Sequence, residues 1–162
     1  MKGAKRNAKF HYRMERPYEW TLQNGLRIIY AHHENKASFT VAIAAKAGVF
    51  YEPLEAPRGL AHFTEHMCFD GTKNYPDKEK LIEIIDNVGG DWNGSTGHQG
   101  VQYYAHVLGE DAEKAFEFVS EIYCNPLLNE KDLIHEKKII KEEIHAAESD
   151  PWDAVYSSIR TS

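Results

Sequence analysis

The chain has 162 residues, 42% apolar and 27% charged, which suits one folded domain with a real core and argues against disorder. Its 19 basic and 25 acidic residues give a net charge of −6, yet the first sixteen residues hold six Lys or Arg against one acid, so the remainder is strongly acidic and nucleic acid is not expected as the main partner. Two cysteines without a CxxC, Cys68 and Cys124, exclude a disulfide framework and a four-thiolate zinc site. The longest near-apolar run, FTVAIAAKAGVF, contains Lys46 and is too short to span a bilayer, so no membrane partner is expected. Free thiols and the lack of a visible secretory signal lead us to expect a cytoplasmic location, with an organellar matrix as the alternative.

In chain order, residues 1–16 (MKGAKRNAKFHYRMER) lack an amphipathic pattern and hydroxyl residues, and are expected to be a solvated, poorly ordered leader. YEWTLQNGLRIIYAHHE reads as a β-hairpin about Asn24-Gly25, a pair suited to a type I′ turn. SFTVAIAAKAGVFYE reads as a long central strand covered on both faces. After a Pro-rich connection, LAHFTEHMCFDG is helical and stops at Gly71. PDKEKLIEIIDNVGG is a second helix with Pro76 in its first turn and Gly89-Gly90 at its end. DWNGSTGHQGVQYYAHVLG reads as two strands or one bent strand. EDAEKAFEFVSEIYCN is a third helix, ended by Asn125-Pro126, and a longer fourth begins near Asn129. The order of elements predicts an α+β domain over 17–162, a mostly antiparallel (mixed) sheet with helices packed on one face.

The chemistry concentrates in HFTEH. Residues four apart lie on one helix face, so His62 and His66 can direct neutral imidazole nitrogens at one point. Glu65 reaches the same side without displacing either ring, which is where a general base belongs beside a metal. A lone His-x-x-x-His pair is more often coincidence than a metal site. Here, however, the apolar setting disfavours a solvated face, and buried imidazoles without partners are costly. A catalytic zinc needs a third protein ligand. On the fourth helix Glu136 and Glu143 are seven residues apart and share a face, whereas Glu142 and Glu143 point roughly 100° apart. Glu-Glu pairs on Lys-rich helices are ordinarily solvated, so spacing alone leaves the third ligand open.

HFTEH followed by EKKIIKEEI resembles the pitrilysin/insulinase family of inverzincin HxxEH metallopeptidases. The frame agrees: LQNGLRIIY, AGVFYEP before GLAHFTEHMCFDGT, then GGDWNGSTG and YY, together covering roughly 17–150. The resemblance implies an N-terminal metallopeptidase half-domain, apparently truncated. It implies one zinc per chain, bound by His62, His66 and Glu143, with Glu65 activating water. It further implies that Glu136 supports a ligand from behind, and that Asn93 lies at the edge of a substrate cleft. The strand near 99–107 would receive an extended peptide as an added strand. The implied activity is zinc-dependent endopeptidase hydrolysis of extended peptides or unfolded polypeptides. The implied partner is a second homologous half, or an oligomer, supplying an arginine–tyrosine pair. The alternative is an incomplete or non-catalytic zinc- or peptide-binding subunit. Of the remaining histidines, His11, His32, His33 and His98 are expected at the surface. His106 either flanks the cleft or packs within its strand.

Overall fold

A computed structural model describes residues 16–149 except 35 and 58. The basic leader therefore lies, apart from Arg16, outside the described residues. The chain divides into two compact units, residues 1–36 and 37–162.

In the first unit, β1 (Tyr18–Thr21) pairs antiparallel with β2 (Arg27–Tyr30), in register Tyr18↔Tyr30 to Thr21↔Arg27. The hairpin forms as expected, but its turn is not type I′. That turn needs positive φ at both central residues, whereas only Gly25, at φ +87°, has it. Gly25 N–H donates to the Leu22 carbonyl and Leu22 N–H to the Leu26 carbonyl. This is a three-residue loop in which Gly25 takes the left-handed position, while the Asn24 side chain accepts from Leu26 N–H instead.

Among the described residues the second unit is built on three antiparallel strands, β3 (Ser38–Ala45), β4 (Asp91–Thr96) and β5 (Val101–Leu108), in spatial order β3-β5-β4. The expectation of a central β3 is therefore corrected: β3 ends the sheet and alternates exposed with half-buried residues, while β5 is central. Small alanines on one face of β3 had disguised that alternation. On β5, Val101, Tyr103, Ala105 and Val107 are buried and Gln102, His106 and Leu108 exposed, so a single face carries the core.

Among the described residues four α-helices pack in this unit: α1 (Leu60–Cys68), α2 (Lys78–Asp86), α3 (Ala112–Cys124) and α4 (Glu130–Ser149). Leu81 and Ile85 of α2 join Ala115, Phe118, Val119 and Ile122 of α3 against β5, all fully buried. Phe69 ties the end of α1 to this core, its ring 5.1 Å from Trp92 and 6.4 Å from Phe118. At α2, the cap is Asp77, whose carboxylate accepts from Glu79 N–H at 3.0 Å. Pro76 therefore precedes the cap and is not in the first turn. Among the described residues no helix is long and apolar enough to cross a membrane.

Candidate metal centre

Helix α1 begins on a borrowed cap. Gly59, at its N-terminus, makes no side-chain bond, and the Glu52 carboxylate accepts from Gly59 N–H (3.2 Å) and Ala61 N–H (2.8 Å). It thereby satisfies helix-end donors that α1 cannot pair itself and meets the positive end of the helix dipole. One turn on, His62 and His66 stand edge to face with ring centroids 4.6 Å apart and their Nε2 atoms 3.1 Å apart. From α4, Glu143 Oε2 comes within 3.8 Å of His62 Nε2 and 3.6 Å of His66 Nε2. The three donor atoms all lie within 4.8 Å of one another.

Behind His66 stands Glu136, only 1% exposed, with Oε2 3.0 Å from His66 Nδ1. A carboxylate there accepts, so Nδ1 carries the proton and the Nε2 lone pair is directed towards His62 and Glu143. A proton or a metal ion is what such a facing pair of ring nitrogens, bordered by a carboxylate, requires. Bonds of about 2.0–2.1 Å in a tetrahedral site separate ligand atoms by roughly 3.3 Å. The observed 3.1, 3.6 and 3.8 Å match that cradle, so the residues fit a zinc-like ion. The open side of the group faces solvent, the Glu143 side chain being 48% exposed.

Glu65 is buried and falls outside the three-donor group. Its Oε2 accepts a 2.5 Å hydrogen bond from the Thr96 hydroxyl on β4. Opposite it, a Cβ on Gly94 would lie 2.5 Å from Glu65 Oε1 and 2.8 Å from the Phe69 ring, so only glycine lets β4 approach this closely. Neither Thr96 nor Gly94 is singled out by the sequence. The signal available was the alternation of NGST, which sets Gly94 and Thr96 on one face.

The sequence-derived residues thus divide. His62, His66 and Glu143 converge, Glu136 backs them, Glu65 lies alongside, and Glu142 remains exposed. Asn93 does not join them: alternation along β4 turns it to the sheet's other face, exposed, its side-chain oxygen accepting from Gly94 N–H. Nor can β5 receive an added strand, because β3 and β4 occupy both its edges; the unpaired edge among the described residues beside Glu65 is that of β4. Tyr103 faces the core, and burial raises its pKa. Half-buried Tyr104 is on the outer face, donating to Asp91 at 2.9 Å. His106 is exposed there, with Nδ1 2.6 Å from the Thr40 hydroxyl.

An antiparallel sheet backed by helices, with a His-x-x-Glu-His helix meeting a distant glutamate, defines the class: an HxxEH metallopeptidase domain. Residues 27–161 match the model of the insulinase family, peptidase family M16. The chain is 36% identical over 141 residues to an uncharacterized zinc protease of Rickettsia bellii, covering 87% of this chain and 34% of that protein. It is 33% identical to the mitochondrial-processing peptidase subunit beta of Bos taurus, covering 83% and 27% respectively. Among solved structures, a protease from Helicobacter pylori superposes with a TM-score of 0.81 at 26% identity, over 89% of this chain and 35% of that one. The chain belongs to the insulinase family of peptidases. It spans about a third of the length of the Rickettsia and Bacillus subtilis zinc proteases that it matches.

Proposed function

We propose that this chain is the zinc-binding, proton-transferring part of an endopeptidase acting on extended peptides or unfolded polypeptides. The observation that carries the reading is the convergence of Glu143 on His62 and His66 from a separate helix, while the adjacent Glu65 stays outside the donor set. One zinc per chain would be held by His62, His66 and Glu143, and zinc held there supplies Lewis acidity for peptide-bond hydrolysis. Glu65 takes the proton of the attacking water and passes it to the leaving amine. Thr96 fixes the Glu65 carboxylate, and Glu136 fixes the His66 ring. An extended peptide adds along the free edge of β4, held by main-chain hydrogen bonds, and Asn93 belongs to that edge. A second homologous half, in the same protein or in a partner, closes the exposed side; the Bos taurus relative is itself named as a subunit. Two free cysteines suit a reducing compartment, and the cytoplasm is our assignment.

A second reading, a zinc- or peptide-binding subunit without turnover, is favoured by the exposure of Glu143 at the donor group. The test is zinc content of the purified protein together with cleavage of a quenched peptide, for wild type and Glu65→Gln. Near-stoichiometric zinc with cleavage that Glu65→Gln abolishes supports the peptidase. Stoichiometric zinc without cleavage supports the subunit, and absence of zinc sinks the peptidase and leaves only a peptide-binding subunit.

A further inference from the structure

Glu136 has two oxygens, and the contact with His66 accounts for one. Its Oε1 is buried and accepts no hydrogen bond among the described residues; the charge facing it is Lys78 Nζ, 3.7 Å away. Lys78 also donates to Asp70 Oδ1 at 2.6 Å, and Asp70 Oδ2 is likewise buried without a donor. One ammonium therefore stands between two carboxylates, half-buried Asp70 following α1 and buried Glu136 on α4. Burial pushes the Asp70 carboxyl above its usual range, and the Lys78 hydrogen bond opposes that push.

Helix energetics give no reason for Lys78. It is the first residue of α2, where the helix dipole disfavours a cation. Among the described residues the other partner of Glu136 is the His66 imidazole, a weaker counterpart than a cation for a buried carboxylate, and without Lys78 Glu136 is expected to turn towards water and release His66.

We propose that Lys78 is a positioning residue of the metal centre: its ammonium holds Glu136 in place, and Glu136 in turn fixes the His66 ring and its metal-binding tautomer. The inference rests on the proposed metal reading and extends it to a residue three contacts removed from the ion. A purely structural Lys78 would only tether α2 to Asp70, and would affect stability without affecting the metal.

The test is zinc affinity of the full chain, by competition with a chromophoric chelator, alongside circular dichroism and thermal unfolding. Lys78→Met is expected to weaken zinc binding by roughly tenfold or more, as loss of an outer-shell partner does. Lys78→Arg, which keeps the charge, should restore most of it. Asp70→Asn removes the tether but leaves Lys78 facing Glu136, and should retain wild-type affinity. Should Lys78→Met fail to fold, the double variant Lys78→Met/Asp70→Asn, which removes one charge of each sign, is expected to show the same loss. Wild-type affinity in a folded Lys78→Met or in the double variant overturns the proposal. Absence of zinc binding in the wild type overturns the metal reading beneath it, a result distinct from the other.

Discussion

At the scale of single residues, the hydroxyl of Thr96 and the missing side chain of Gly94 decide where Glu65 sits. Thr96→Val would leave a buried carboxylate oxygen without its donor, a cost of about 1–3 kcal/mol. On the proposed reading the expected outcome is a fall in kcat of roughly tenfold with zinc content unchanged, since Thr96 bonds Glu65, which lies outside the donor group. Gly94→Ala forces a methyl against Glu65 Oε1 and the Phe69 ring, and should lower stability by about 1–3 kcal/mol in urea unfolding. Glu136→Gln keeps the shape behind His66 but weakens the acceptor, and is expected to cost about 10–100-fold in zinc affinity measured by chelator competition. His62, Glu65 and His66 were legible because helix periodicity fixes their relation within five residues. Thr96 was not, since its bond to Glu65 spans thirty-one residues and exists only in one strand placement.

At the scale of elements, two carboxylates act as fasteners. Glu52 caps α1 from outside, so Glu52→Ala should destabilise the chain by about 0.5–2 kcal/mol in urea unfolding and lower zinc affinity through the loosened helix. Glu121 on α3 is buried, which pulls its pKa up, but hydrogen bonds from Thr72, Asn125 and Asn74 outweigh burial and hold it below the usual carboxylate value. The unfolded carboxyl therefore takes up its proton first as pH falls. The stability Glu121 contributes is full above the ordinary value and is lost as pH drops from there through the lowered one. Glu121→Gln should flatten the acid side of the stability curve, read by urea unfolding between about pH 7 and pH 3. The existence and type of these elements were legible in hydrophobic period and capping residues. The turn at Gly25 and the edge position of β3 were not. The first depended on which residue of the loop took positive φ, the second on pairing with a strand more than fifty residues away.

At the scale of the whole molecule, ligands drawn from α1 and α4 make zinc binding report on the folded chain. Zinc at about a hundred times its dissociation constant should raise stability by about 2.7 kcal/mol and the Tm by several degrees, and Glu143→Gln should abolish most of that shift in a thermal scan. The sequence by itself determined the α+β class, the His-x-x-Glu-His helix and the family resemblance, because these follow from local period, composition and motif. It left the roles of Glu136, Glu142 and Glu143 to resemblance, since all three sit on one helix with similar local surroundings. Only the tertiary structure selected Glu143 for the donor group, placed Glu136 behind His66 and turned Asn93 to the other face. It also gave the central place to β5 and the free edge to β4. Those choices rest on how helices cross and strands register over long separations, where a rotation of one residue sends a carboxylate to solvent or into the site.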